Sequence, residues 1–177
     1  MNTHPFHEGE REAQRLAGVR LSGAAIRESM PDQHRAFFAM VPFLPIATIK
    51  GAGWPVATIL SGQPGFVASP DPRTLHISAR PSPDDPIVPH LTAGAPIGIL
   101  GIDLATRCRN RANGHIQAAD EAGLTVAVTE SFGNCPQYIQ ARRAAVALGL
   151  PDLRTHHRGY RGLDGSKSGI KHIPACP

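Results

Sequence analysis

The residues best suited to chemistry form an arginine-rich stretch in the middle of the chain, residues 107–114 (RCRNRANG). Its three arginines stand at alternate positions, so an extended backbone would project them to one face, and Asn113-Gly114 is typical of a tight turn. Guanidinium groups bind phosphate and carboxylate through paired, charge-assisted hydrogen bonds. The stretch therefore predicts an anion-binding stripe between two strands. The alternative is a solvated edge strand whose charges prevent edge-to-edge pairing.

A second candidate lies at residues 131–140 (SFGNCPQYIQ). Asn134 suits the N-cap of a helix and Pro136 its first turn, so backbone N–H groups there would face an anion. An ordinary capped helix without a ligand is the alternative. Cys135 would lie near the positive end of that helix, which favours the thiolate, but no His or Asp stands at a spacing that would make it a nucleophile. We therefore expect no cysteine catalysis.

A third candidate begins at Trp54, with Thr58 and Ser61 on the same short segment and Gly62 and Gly65 directly after it. An indole can stack on a cofactor, although a lone Trp on a strand is more often a core residue. The glycines permit close approach of the backbone to a ligand, and a hairpin would explain them equally well. The nine histidines are dispersed without the spacing of metal ligands, so no metal site is predicted.

Short elements must position these residues, because 18 glycines and 17 prolines interrupt the chain repeatedly. Apolar periodicity predicts helices over residues 8–16, 32–41 and 137–148, the second with Asp32 as its N-cap. It predicts strands over residues 43–50, 54–60, 74–79, 95–104, 111–118 and 124–129, joined largely by hairpins. The fold class is therefore mainly β with flanking helices (α+β), built on an antiparallel barrel that is closed or partly closed.

Three regions of the chain differ in composition. Residues 1–30 are predicted to form a polar N-terminal arm, and residues 31–150 the barrel domain. Residues 151–177 contain single, scattered apolar residues with no period. That pattern is typical of a disordered or atypical tail, because it cannot bury a continuous apolar face.

The composition excludes several classes of protein. Hydrophobic residues make up 41% and charged residues 18%, as in ordinary globular domains. The net charge of +4 is small, and no aromatic platform or basic helix accompanies the arginines, so no nucleic-acid partner is expected. No apolar run approaches the ~20 residues that span a bilayer, residues 1–15 do not resemble a signal peptide, and the three cysteines form no CxxC pair. These features predict a cytoplasmic protein without membrane contact.

Four segments carry a resemblance to a known family: residues 30–49 (MPDQHRAFFAMVPFLPIATI), 53–77 (GWPVATILSGQPGFVASPDPRTLHI), 94–116 (GAPIGILGIDLATRCRNRANGHI) and 130–140 (ESFGNCPQYIQ). In this order they resemble the pyridoxamine 5′-phosphate oxidase-like superfamily of FMN-binding split barrels, and within it the flavin-nucleotide-binding branch. The resemblance covers the chain from near His7 to near Ala145. It implies a six-stranded antiparallel split β-barrel that holds FMN, rather than FAD, at an interface between subunits or repeats.

The resemblance also implies which residues bind the cofactor. They are Arg109, Arg111, Asn113 and Gly114, which match the family's RxNG-type turn, together with Thr58, Ser61 and Trp54 on the strand that lines the flavin. Pyridoxamine phosphate oxidases carry an Arg and a Lys on that strand, where this chain has Thr, Ser and Gln63. A flavin-dependent oxidoreductase is therefore expected rather than vitamin B6 oxidation, and no catalytic side chain is identified.

Partners follow from the same resemblance. The expected partner is a second copy in a homodimer, or a second barrel half, and a reductase is a further expected partner because some members are fused to a ferredoxin-reductase-type module. Members of the branch are longer, and the likeness ends near Leu150, so the chain is expected to be a truncated or frame-shifted product. Two alternatives stay open: a non-catalytic flavin or haem binding or storage protein of the same fold, and a remnant without a cofactor.

Overall fold

The described residues form a seven-stranded antiparallel sheet and two α-helices. The computed structural model describes residues 8–18, 26–51, 53–134 and 139–142. The helices are α1 (Glu8–Leu16) and α2 (Asp32–Met40). The strands are β1 (Phe43–Lys50), β2 (Trp54–Ser61), β3 (Val67–Ala68), β4 (Thr74–Ile77), β5 (Pro96–Asp103), β6 (Cys108–Asp120) and β7 (Gly123–Asn134), and a 3-10 turn covers Val88–His90. The predicted α+β class, mainly β, is confirmed.

The strands follow the order β2-β1-β5-β6-β7-β4-β3, and each neighbouring pair is antiparallel. The predicted hairpin of β1 and β2 is confirmed, and Gly51 and Gly53 close it with φ values of 34° and 90°. Strands β2 and β3 are the two edges, and the described residues contain no pairing between them. The sheet therefore has seven strands instead of six, and closure into a split barrel stays a prediction.

Strand β6 differs most from its prediction. It begins at Cys108, so residues 108–114 of the arginine-rich stretch lie inside a strand, and only Arg107 lies in the turn before it. The chain reverses from β5 at residues 104–107, where Arg107 takes a φ of 65°. Asn113 and Gly114 lie at a register shift of the β6–β7 pair. This β-bulge bends the strands without reversing them.

The hydrophobic core lies on one face of the sheet, and α2 packs against it. Buried residues alternate with partly exposed ones along β1, where Leu44 is 0% and Ile46 1% exposed. Phe37 and Phe38 of α2 pack edge to face, with ring centroids 5.8 Å apart. A Cβ atom at Gly101 of β5 would lie 2.5 Å from a ring carbon of Phe37. Glycine at this position therefore makes room for the helix.

The residues directly before α2 belong to the folded domain. Met30 is buried, and the backbone of Arg27 exchanges two hydrogen bonds with Ser131 of β7, with N–O distances of 3.0 and 2.7 Å. Pro31 occupies the N-cap position, so the prediction of Asp32 as the N-cap is wrong. Asp32 is instead the first helical residue, where its negative charge interacts favourably with the positive end of the helix dipole. The end of the predicted arm thus packs on the sheet.

Several predictions fall wholly or partly outside the described residues. Of the helix expected over residues 137–148, the described residues 139–142 have no regular secondary structure. The predicted tail, residues 151–177, lies outside the described residues. Cys108 is disulfide-bonded, and the other two cysteines lie outside the described residues. The spacing of the cysteines gave no indication of this bond.

A buried histidine makes the stability of the fold depend on pH. His34 on α2 is 3% exposed, and its Nδ1 lies 2.7 Å from Ser131 Oγ. Burial, and then the charge of Arg27, lower the pKa of His34 below its ordinary value of 6.5. The unfolded chain therefore binds this proton more readily than the folded one. The resulting stability is fully present above the ordinary pKa and is lost as the pH falls below it.

We expect the free energy of unfolding, measured by urea titration, to fall between about pH 7.5 and about pH 5.5, with at most about 1.4 kcal/mol per pH unit due to His34. His34→Gln should remove that part of the slope. The matched control is His76→Gln, because His76 is exposed on β4, and this variant should keep the part of the slope that is due to His34. Equal slopes in all three proteins would contradict the role of His34.

Candidate functional site

The outward side of β6 carries a row of polar side chains. Asn110 and Ala112 are buried against the core, so the alternating Arg109, Arg111 and Asn113 point to the opposite face of the sheet. Arg111 is exposed, whereas Arg109 and Asn113 are half-buried. Arg109 and Arg111 thus share one face of β6. Arg107, the third arginine of the predicted stripe, lies instead in the turn before the strand.

Strand β7 places an aromatic ring and a carboxylate beside this row. The guanidinium carbon of Arg111 lies 5.9 Å from the ring centroid of Phe132, which is a cation–π contact. Nδ2 of Asn113 donates a hydrogen bond to the carboxylate of Glu130 at 2.9 Å. The β6–β7 register places the members of each pair opposite one another. The row is therefore cationic at its arginine end and acidic at Glu130.

The outward residues of β1, β2 and β5 form an apolar floor next to the row. This floor comprises Pro45, Ala47, Ile49, Pro55, Ala57, Ile59, Gly98, Leu100 and Ile102. We call the floor and the polar row of β6 together the outer face. Ile59 is 65% exposed and Ile49 is 45% exposed, although both are large and apolar. Exposed apolar area of this kind marks an interaction surface or a ligand site.

A depression joins the floor to the polar row. Its volume is about 400 Å³, and its lining includes Ala47, Gly98, Asn113, His115 and Glu130. Gly98 lies in this lining, and a Cβ atom there would make an ordinary van der Waals contact with Oδ1 of Asn113 at 3.6 Å. The volume falls within the range of small-molecule sites, roughly 300–1,000 Å³.

The three predicted site residues on β2 lie apart from the arginines. Strands β1 and β5 stand between β2 and β6, which separates them by about 14 Å at ~4.8 Å per strand. The hydroxyl of Thr58 donates to the carboxylate of Asp85 at 2.5 Å, and that negative charge would repel a phosphate. Ser61 is exposed at the end of β2. Trp54 is 70% exposed, so its indole is not a core residue.

Gly114 has a packing role. It faces the core side of β6, and a Cβ atom there would lie 1.9 Å from the carbonyl oxygen of Ala127. No side chain fits at that distance without movement of the β7 backbone. The bulge between Asn113 and Gly114 therefore depends on glycine, and the contact that requires it is made with the protein's own backbone.

Asn110 is a buried polar residue within the segment that resembles the family's RxNG-type turn. It is 1% exposed, and its Oδ1 has no hydrogen-bond partner among the described residues. A Cβ atom at Gly133, opposite on β7, would lie 3.6 Å from this oxygen. A buried acceptor left unpaired costs about 1–3 kcal/mol. The signal in the sequence was its position, which alternates with the arginines and thus falls on the core side.

The described residues show no metal centre, since no group of three or more His, Cys, Asp or Glu side chains among them could hold an ion. None of the helices in the described ranges is long and apolar enough to cross a membrane. Comparisons with protein-family models and with curated proteins find no match to this chain.

The packing role of Gly114 predicts a large loss of stability on substitution. Gly114→Ala should lower the free energy of unfolding by about 1–3 kcal/mol or more, because the new methyl group meets a backbone carbonyl. The control is Gly98→Ala on the neighbouring strand, where the added Cβ meets only Asn113 at 3.6 Å. Urea midpoints would be compared. A loss in Gly98→Ala as large as that in Gly114→Ala would show that the close approach to Ala127 is not the cause.

Proposed function

We propose that this chain binds flavin mononucleotide on its outer face and forms the flavin-binding part of a flavin-dependent oxidoreductase. The observation that carries the proposal is the position of an apolar floor directly beside two arginines on one face of the sheet. FMN has the matching parts, a flat and largely apolar ring system and a phosphate dianion. The resemblance of four sequence segments to FMN-binding split barrels supports the same assignment.

Arg109 and Arg111 are the groups proposed to hold the phosphate. They stand two residues apart on one strand, so their Cα atoms are about 6.6 Å apart and both guanidinium groups can contact one anion. Phe132 packs against Arg111 and restricts its guanidinium. Asn113 lies next in the row and is tied to Glu130. The phosphate therefore belongs at the arginine end of the row, away from the carboxylate.

The apolar floor is proposed to hold the ring. Ala47 and Gly98 are small and lie opposite one another, and the half-buried Leu100 lies opposite Arg111. A flat ligand can lie on such a surface without displacing side chains. When bound, FMN would supply hydride or electron transfer, and the chain would contribute binding, orientation and exclusion of water. An external reductase is the proposed source of electrons.

A second copy of the chain is proposed to cover the ligand. A flavin on an open sheet face is exposed on one side, and Ile49 and Ile59 are exposed beside it. Two outer faces related by a two-fold axis would bury these residues and enclose the cofactor. A second barrel half in a longer chain would serve the same purpose. The proposed molecule is thus a homodimer of split barrels with FMN at the interface.

The proposal predicts that the two arginines determine affinity for FMN. Arg109→Ala combined with Arg111→Ala should weaken binding by a few kcal/mol, because each charged hydrogen bond is worth about 1.5–3 kcal/mol. Quenching of FMN fluorescence during titration with the protein measures the affinity. The control is Arg11→Ala with Arg15→Ala on α1, which removes the same charge elsewhere. Equal affinity in all three proteins would remove Arg109 and Arg111 from the site.

One comparison separates the oxidoreductase from a storage or carrier protein of the same fold. Flavin bound to an oxidoreductase should lose its visible absorption when NAD(P)H and a reductase are added, and regain it when an acceptor is supplied. A flavin or haem carrier would bind without such turnover. Purified protein that is colourless and leaves FMN fluorescence unchanged would instead indicate a chain without a cofactor.

The proposed dimer predicts that a charge on the apolar floor lowers the mass of the protein in solution. Ile59→Glu should shift the mass measured by light scattering from dimer toward monomer, because a carboxylate would be buried without a partner. Leu16→Glu is the control, since Leu16 is 72% exposed on α1 and lies outside the outer face. A dimer that persists in Ile59→Glu would place the interface elsewhere.

A further inference from the structure

A second cleft lies at the closed end of the β6–β7 hairpin. Its volume is about 460 Å³, and its lining includes Arg80, Val88, Leu91, Asp120 and Leu124. Leu91 and Leu124 are buried and form an apolar base, while Arg80 and Asp120 are exposed at the rim. None of these residues belongs to the outer face, so the cleft is a separate candidate site.

The walls of the cleft are held in place without a ligand. The hairpin wall is close to β4, since a Cβ atom at Gly123 would lie 2.0 Å from the carbonyl oxygen of Ile77. The opposite wall contains Pro81 and Pro83, whose rings fix φ. Asp85 holds this second wall in place. Its carboxylate accepts hydrogen bonds from the backbone N–H of Ile87 at 2.9 Å and from the hydroxyl of Thr58 on β2. A preformed cleft requires little ordering when a ligand binds.

The two charges at the rim differ in how they are engaged. Asp120 Oδ1 accepts the backbone N–H of Ala122 at 2.8 Å. Arg80 makes no hydrogen bond or ion pair within the described residues, and it does not pair with Asp120 although both line the cleft. A guanidinium with five donors beside an apolar base suits a carboxylate attached to an apolar body. The carboxylate of Asp120 lines the same cleft and would repel a ligand with two negative charges.

We propose that this cleft is a binding site for small apolar monocarboxylates, independent of the flavin site. The carboxylate of the ligand pairs with Arg80, and its apolar part lies on Leu91 and Leu124. Asp120 makes the cleft selective for one negative charge over two, because like charges at the rim repel. A phosphate monoester therefore binds more weakly than a monocarboxylate, in contrast to the ligand of the outer face.

Three probes with one aromatic body test the proposal: phenylacetate, its uncharged analogue phenylacetamide, and phenyl phosphate. Phenylacetate should bind with a Kd on the order of 1 mM or tighter by calorimetry or NMR titration. Phenylacetamide and phenyl phosphate should bind about tenfold more weakly. Equal affinity for phenylacetate and phenylacetamide would overturn the proposal, as would the failure of all three to bind at about ten times that concentration.

Two variants assign the binding to the cleft. Arg80→Met should weaken the binding of phenylacetate about tenfold or more. Arg11→Met on α1 serves as the control and should leave the affinity for phenylacetate unchanged. Asp120→Asn keeps an oxygen for the N–H of Ala122 and should improve the binding of phenyl phosphate. Unchanged affinity for phenylacetate in Arg80→Met would contradict the proposal that this cleft is the binding site. FMN titrations of the same variants keep the two proposals distinct, because neither Arg80 nor Asp120 belongs to the outer face.

Discussion

The assignment of each β6 side chain to one of two faces is the constraint from which the rest of the molecule follows. β6 is hydrogen-bonded to β5 on one side and to β7 on the other. Ala112 is 0% and Ile116 1% exposed, and Arg111 points the opposite way. A slip of one residue would turn every side chain to the other face and bury the arginines. Burial of an unpaired guanidinium costs far more than a lost apolar contact, so the charges fix the register.

That register gives the two faces of the sheet different roles. The inner face packs against Phe37 and Phe38 of α2 and supplies the stability of the domain. The outer face carries its polar row beside Ile49 and Ile59, which are exposed among the described residues. The cleft at the hairpin end arises differently, where the connection after β4 passes over the β6–β7 turn. Its base, formed partly by Leu124, is continuous with the inner core.

Local patterns in the sequence predicted the elements better than the site. Alternation and glycine turns located the β1–β2 hairpin closely, because both signals act over a few residues. Asn113-Gly114 carries the same turn signal, yet here Gly114 is needed for the approach to Ala127 and the strand continues. A tertiary contact thus decided the conformation of a sequence that favours a turn.

The surroundings of the predicted site residues on β2 could not be predicted from local sequence patterns. Thr58 is engaged by Asp85, which is 27 residues away, and no local pattern indicates that pairing. The alternation of arginines did predict a shared face, since it depends only on the geometry of a strand. Trp54 and Ser61 would share a site with the arginines only if β2 lay beside β6. In the observed strand order, β1 and β5 lie between these two strands. Strand order follows from the whole fold and not from spacing along the chain.

The two edges of the sheet are poorly suited to recruiting strands from other molecules. β3 contains only two residues, which offers little backbone for pairing. β2 contains Pro55, which lacks an N–H, and the connection through Asp85 is fastened to it. Short edges and proline are devices by which natural sheets resist aggregation. The shortness of β3 and the proline of β2 therefore limit backbone pairing at the two edges, while the isoleucines of the outer face stay exposed.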